Sequence, residues 1–247
     1  MDGAPPLSPT VVVLGGGTAG WMAACLFVGE WPRACVTVVE APEIGIVGVG
    51  EGSTPQLRAL FARLGIAEDA WMPAADATYK TGIRFDGWSR RAGYASYLHP
   101  FASAIDLHTA GAFHASALAR RTGRAVDAHP DPFFLNTRLA QAHRAPLAPE
   151  HFPFEVGYGY HFDAHKVGAV LRDHALARGV THVAARVDTV ELGDGGDVAY
   201  VDWDGDTGQE PPPGIADAAQ RQTDRAILAT RRAVYPLHGL DPEDPRD

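Results

Sequence analysis

At 247 residues the chain is long enough to bury a sizeable core, as one large domain or two small ones. Its 46% hydrophobic and 21% charged residues, with no apolar run near the ~18 residues of a membrane-spanning helix, exclude fibrous and collagen-like classes and predict a soluble globular protein. A formal net charge of -9 argues against nucleic acid or an anionic membrane as the main partner, since both would be repelled, and points to a small molecule. Two cysteines, Cys25 and Cys35, are too few for a disulfide framework or a thiolate zinc site and read as core residues. Together with an N-terminus lacking the basic start and apolar stretch of a signal peptide, they lead us to expect a cytoplasmic protein.

Val11, Val12, Val13 and Leu14 form a continuous apolar run bounded by glycines, the pattern of a strand buried on both faces of a parallel sheet. Gly15-Gly16-Gly17-Thr18-Ala19-Gly20 follows and matches G-x-G-x-x-G at Gly15, Gly17 and Gly20. Ala19, Met22, Ala23, Leu26 and Phe27 then recur with helical spacing, so strand, glycine turn and helix are predicted in succession. A second apolar strand, Val36 to Val39, ends at Glu40, 20 positions after the last glycine. The pyrophosphate of a dinucleotide must approach the backbone and sit on helix N-terminal N–H groups, which any side chain larger than hydrogen would block. An acid at the tip of the second strand can accept hydrogen bonds from ribose hydroxyls and would repel a 2′-phosphate, favouring FAD or NAD over NADP. Gly15, Gly17, Thr18, Ala19, Gly20 and Glu40 are therefore the cofactor-binding residues expected of this segment.

The stretch from Glu43 to Pro55 has too many glycines for an ordinary strand yet is apolar between them. It reads as an extended strap lying against something, or else as a surface loop with glycine turns. Thr54 as N-cap and Pro55 as first helical residue open a helix with Leu57, Leu60, Phe61 and Leu64 on one face and Gly65 as its stop. Lys80, between Tyr79 and Thr81 on a predicted strand, reads by itself as a solvated surface group. His99 and Phe101 alternate along an extended segment broken by Pro100 and could share one face.

His161 and His165 stand four apart, a spacing that on a helix would suit a metal pair. Asp163 reads better as the N-cap of a helix with apolar face Val167, Val170 and Leu171 and stop Gly179, which leaves His161 outside the helix and no metal site expected. Val187 follows in a strand-like stretch. From Gly193 to Asp247 the chain carries a net charge of -7, against -2 for all that precedes it, and is rich in proline. Much of this tail reads as loop or disorder.

Several of these segments resemble the flavin-dependent tryptophan halogenases. Gly15-Gly-Gly-Thr-Ala-Gly-Trp-Met-Ala-Ala24 is similar to their FAD fingerprint, and Gly48-Val-Gly-Glu-Gly-Ser-Thr-Pro55 to the strap that touches the isoalloxazine. Val49, Gly50, Glu51, Ser53 and Thr54 would then touch the flavin, and Val187 would lie where the family places the adenine, a core role remaining equally open. Trp71-Met-Pro with Ala77-Thr-Tyr-Lys-Thr-Gly-Ile-Arg-Phe85 and Trp88 matches the segment carrying the active-site lysine, which makes Lys80 the implied catalytic residue. His99-Pro100-Phe101 matches the segment whose His and Phe enclose the substrate indole, and Tyr160-His-Phe-Asp-Ala164 extends the likeness, which runs from Val11 to Val201.

The resemblance implies an α/β fold, a doubly wound FAD-binding sheet of the glutathione-reductase type with an inserted substrate region and an incomplete C-terminal half. The expected division is residues 1–66 for the dinucleotide-binding βαβ unit and strap, 67–155 for the substrate region, 156–202 for the return to the FAD domain, and 203–247 for the atypical tail. It further implies FADH2 supplied by a separate flavin reductase, a flavin hydroperoxide that oxidises chloride or bromide to hypohalous acid, and delivery of that acid to Lys80 to halogenate tryptophan or another indole. Lysine suits the task as a charge-assisted donor or, when burial lowers its pKa, as a nucleophilic amine. The small aromatic substrate and the reductase are the expected partners, with no nucleic acid and no membrane, and a homodimer stays open.

The family's W-x-W-x-I-P motif and its assisting glutamate do not occur in this sequence, and Arg231-Arg232 follow Asp224 to Thr230 where glycine is expected. A truncated or frame-disrupted halogenase is therefore one expectation. The alternatives are an FAD-dependent monooxygenase and a non-catalytic flavin-binding remnant.

Overall fold

The structure, a computed structural model, describes residues 10–44, 50–192 and 198–204. In chain order the elements are β1 (Thr10–Leu14), α1 (Thr18–Glu30), β2 (Cys35–Glu40), β3 (Gly50–Gly52), α2 (Gln56–Leu64), α3 (Glu68–Ala74), β4 (Thr78–Lys80), β5 (Gly82–Asp86) and β6 (Ser96–Pro100). These are followed by α4 (Leu107–Arg121), α5 (Leu135–Gln141), β7 (Gly159–Asp163), α6 (Ala164–Leu176), β8 (Thr181–Ala184), β9 (Arg186–Leu192) and β10 (Val198–Asp204).

Contacts divide the chain into two units. The first comprises the described residues before 45, Leu64–Asp76 and those from Asp163 onward. Its centre is a parallel sheet in the order β1-β2-β8, with Val11 opposite Val36 and Val39 opposite Val183. The apolar run of β2 is covered on both faces, with Val36, Val38 and Val39 all at most 2% exposed, whereas in β1 Val11 is buried and Leu14, at the strand's end, is exposed. The crossover helices α1 and α6 pack on each other, and β9 pairs antiparallel with β10. The chain is thus α/β with a parallel, Rossmann-like sheet, as its sequence predicts.

Helix α1 lies where the spacing places it but buries a different face. Trp21, Ala24 and Cys25 are sealed, whereas Ala19 is exposed and Met22, Ala23, Leu26 and Phe27 are only partly covered. The helix is apolar nearly all round, so periodicity alone does not choose its inner side, and packing against α6 does. The Cys25 thiol donates to the Leu171 carbonyl at 3.3 Å, and burial pushes its pKa up to about 11. Cys35, expected in the core, is exposed, because it is the entry residue of β2, ahead of the covered run Val36 to Val39. Iodoacetamide at pH 8 is expected to alkylate Cys35 and spare Cys25, as read by mass spectrometry of the two peptides.

Helix α6 follows its sequence signals closely. The Asp163 side chain accepts from the Lys166 N–H at 3.1 Å, Val167 and Leu171 are fully buried, and Gly179 takes a φ of +87° past the helix end. Asp163→Ala should therefore cost about 1 kcal/mol of stability, measured as a lowered urea midpoint with unchanged slope. His161 sits on β7, outside this helix, so it and His165 share no helical face.

The second unit comprises Gly50–Arg63 and Ala77–Phe162. One sheet runs β3-β7-β4, with Thr78 opposite His161, Tyr79 opposite Tyr160 and Lys80 opposite Gly159. Another pairs β5 with β6. Helix α2 buries Leu57, Phe61 and Leu64, and Gly65 ends it with a φ of +71°. Within the segment from Gly193, much of which reads as loop, Val198–Asp204 is strand β10, paired antiparallel with β9. The rest of that expectation, over 205–247, lies outside the described residues.

Candidate functional site

Two constellations arise, one in each unit. In the first unit the carboxyl ends of β1 and β2 open on a cleft of about 220 Å³. Its lining includes Gly15, Gly16 and Gly17 from the turn, Glu40 from the tip of β2, Ala185 between β8 and β9, and Arg186 and Val187 from the start of β9. The Gly15 N–H donates to the Val39 carbonyl at 2.8 Å and the Ala185 N–H to the Glu40 carbonyl at 2.8 Å, so the strand ends are stitched where the cleft begins. Gly15 takes a φ of +105°, which only glycine adopts readily. Gly20 packs so tightly that a Cβ there would collide with the Gly15 carbonyl oxygen, which sets the close helix-to-strand approach.

Residues expected to hold a cofactor divide cleanly here. Gly15, Gly17, Glu40 and Val187 line the cleft. Gly20 shapes it from behind, and Ala19 is exposed on the first turn of α1. The Thr18 hydroxyl donates to the Ala164 carbonyl at 3.0 Å and so ties α1 to the start of α6. Val187 both lines the cleft and packs on the Val39, Val183 and Ala185 cluster, so its two readings coincide. Arg186 was not anticipated. It reaches the cleft only through the parallel register of Glu40 with Ala184, which local sequence does not set. A glycine turn, the N-terminus of a 13-residue helix, an acid at the rim and apolar walls fit an adenine dinucleotide.

In the second unit, Lys80 lies at the end of β4. In an antiparallel pair opposed residues share a face, so Lys80, Gly159, Thr78 and His161 look to one side, and Tyr79 and Tyr160 to the other. The strap is drawn in against this sheet. The Ser53 N–H donates to the Tyr160 carbonyl at 2.8 Å, and the Ser53 hydroxyl accepts from the Tyr160 N–H at 3.0 Å. Gly159 is required for that approach, since a Cβ there would stand 2.7 Å from the Ser53 carbonyl oxygen.

Strap and lysine therefore meet. A Cβ on Gly52 would lie 2.8 Å from Lys80 Nζ and 3.1 Å from the His161 ring. Lys80 Nζ also stands 5.6 Å from the centre of the buried Phe101 ring. Among the described residues no carboxylate lies within ion-pair reach of Lys80. His161 has its pKa lowered, chiefly by partial desolvation and further by the Lys80 charge.

Phe101 is held from behind by Asn136, fully buried, whose amide donates to the Phe101 carbonyl at 2.6 Å and to the Gly157 carbonyl at 2.5 Å. His99, expected to act with Phe101, is exposed on β6, while Phe101 follows the strand and turns inward as its N–H donates to the Thr81 carbonyl at 2.8 Å. Gly50, Glu51 and Thr54 are exposed and Ser53 half-buried. Val49 lies outside the described residues.

The family model described as tryptophan halogenase matches residues 10–210. The chain is 34% identical over 220 residues to tryptophan 6-halogenase SttH of Streptomyces toxytricini, covering 77% of this chain and 40% of that protein. It is 32% identical over 210 residues to tryptophan 7-halogenase RebH of Lentzea aerocolonigenes, covering 77% and 38%. Among solved structures it resembles Xcc4156, a flavin-dependent halogenase from Xanthomonas campestris, with a TM-score of 0.65 and 34% identity over 81% of this chain and 40% of that one. The chain thus spans about 40% of the length of the relatives it matches. The glycine turn, the strap and the lysine strand all lie within the matched residues, and the chain belongs to the tryptophan halogenase family.

Proposed function

We propose that this chain carries the FAD-binding turn and the reactive lysine of a halogenase that modifies an aromatic substrate, tryptophan or another indole. The observation that carries this reading is the setting of Lys80: a cation without a carboxylate partner among the described residues, set against the strap at Gly52, over Phe101 and beside His161. An ammonium held this way is a charge-assisted donor to hypohalous acid, and after losing its proton it is a nucleophilic amine.

Gly15 makes the turn that lets the pyrophosphate approach, Gly17 and the first turn of α1 offer it N–H groups, Glu40 accepts from the adenosine ribose, and Val187 supports the adenine. Gly50, Glu51, Ser53 and Thr54 bring the strap to the ring system, and Phe101, beneath Lys80, flanks the indole. The cofactor, reduced by a separate flavin reductase, supplies the oxygen activation that oxidises chloride or bromide. The protein's own share is to position the partners and exclude water.

The test supplies the chain with FAD, a flavin reductase, NADH, oxygen, chloride or bromide, and tryptophan, and follows the halogen isotope pattern by mass spectrometry. Halogenated product that requires Lys80 supports the reading, and hydroxylated product would favour a monooxygenase instead. Glu40→Ala is expected to weaken FAD binding about tenfold, the loss of one or two ribose hydrogen bonds, and an unchanged affinity by fluorescence titration would count against the ribose assignment.

A further inference from the structure

His182 stands beside the acid at the cleft rim. It lies on β8 opposite Val38, so its side chain shares the sheet face of Val38 and Glu40. Its Nε2 is 3.0 Å from a Glu40 carboxylate oxygen, a close polar approach without the alignment of a full hydrogen bond. That nitrogen is sealed from solvent and has no hydrogen-bond partner, so Glu40 is what it faces. The ring is fixed from its other side by Trp21 of α1, edge-on at 5.3 Å between centroids. The Glu40 side chain in turn folds over the glycine turn and fills the space that a Cβ on Gly16 would take.

We propose that His182 is a positioning residue that holds the Glu40 carboxylate at the cleft rim for the adenosine ribose. The inference rests on the FAD reading above and deepens it. A carboxylate on a two-carbon stem at a strand end has free rotamers, and orienting it before the ligand arrives removes an entropic cost from binding. A buried imidazole nitrogen within 3.0 Å supplies that restraint. Its ring is clamped by a fully buried tryptophan, so the restraint is passed to a rigid helix rather than to a loop. The contact also draws the carboxylate onto Gly16, which keeps it clear of Gly15 and Gly17, where the pyrophosphate would lie.

The experiment measures FAD dissociation constants by flavin fluorescence for His182→Leu and His182→Gln, each alone and combined with Glu40→Ala, with thermal midpoints recorded without FAD. His182→Leu is expected to weaken FAD binding about tenfold, and His182→Gln, whose amide keeps a polar N–H facing the carboxylate, to restore affinity to within about threefold. In the Glu40→Ala background His182→Leu should change the affinity less than about twofold, since the group it positions is gone. A full loss persisting in that background, or an unaltered affinity in His182→Leu, would overturn the inference while leaving the FAD reading intact. Absence of saturable FAD binding by the unaltered chain would overturn the FAD reading, and this inference with it.

Discussion

Replacing Lys80 by methionine is expected to abolish halogenation, a fall of at least about a hundredfold, while FAD affinity stays nearly unchanged. Methionine keeps an unbranched stem and removes the charge and the nitrogen that stand beside Gly52 and over Phe101. The variant carries a second readout that does not depend on turnover. The Lys80 charge is one of two causes that lower the His161 pKa, the larger being burial. Removing a neighbouring cation favours the imidazolium, so the His161 pKa should rise towards its ordinary value without reaching it. An NMR titration of the imidazole follows the change. Equal halogen incorporation by the variant would refute the role of Lys80, and an unmoved His161 would refute the geometry in which the two side chains share a face.

Gly20→Ala is expected to damage the fold, and Gly17→Ala to damage only cofactor binding. A Cβ on Gly20 runs into the Gly15 carbonyl oxygen, and its next neighbours are the Gly15 carbonyl carbon at 3.1 Å and a Val13 methyl at 3.6 Å. Rigid backbone cannot step aside, so α1 must move off β1, at a cost of about 2 kcal/mol or more even after the gain of about 1 kcal/mol in helix propensity. A Cβ on Gly17 meets nothing within 4 Å, and the residue already has an extended conformation at φ -68°. Its replacement should leave the urea midpoint almost unchanged and yet obstruct the pyrophosphate, costing FAD affinity tenfold or more by steric conflict. Two glycines of one motif thus separate, one serving strand-helix packing and the other the ligand. Equal effects of both substitutions on stability would contradict this division.

The parts of the protein legible in the sequence are those fixed by local chemistry. The run Val11 to Leu14, the turn Gly15 to Gly20 and Glu40 define a strand, a turn and an acid at a strand tip within 30 residues, and β1, α1 and β2 follow. Asp163 and Gly179 bracket α6 for the same reason, since caps are short-range hydrogen-bonding features. The surroundings of Lys80 were less accessible. Read alone it is a surface lysine, and its neighbours reach it only because β4 pairs with β7, some eighty residues away, in a register that sets Lys80 opposite Gly159. One trace of that arrangement was present: in Tyr158-Gly-Tyr-His-Phe162 large apolar rings alternate with Gly159 and His161, a period-two pattern whose other face holds the small and polar residues. His182 gave no signal at all, because its contact with Glu40 depends on the parallel register of β2 and β8.

The inner face of α1 and the exposure of Cys35 show the limit from the other direction. An all-apolar helix and a cysteine beside a valine run both suggest burial, and which atoms are covered is decided by partners that local sequence does not name. His99 and Phe101 are a similar case. Alternation put them on one side, but the strand ends at Pro100, and beyond it the backbone turns Phe101 inward under Lys80 while His99 stays exposed.

The most direct test of the account is a titration of the 247-residue chain with FAD, following flavin fluorescence and the thermal midpoint together. Saturable binding with a rise in the midpoint that grows with FAD concentration is the predicted result, because a ligand that binds only the folded cleft stabilises it by mass action. A chain that melts cooperatively but shows neither quenching nor stabilisation at high FAD concentration would contradict it.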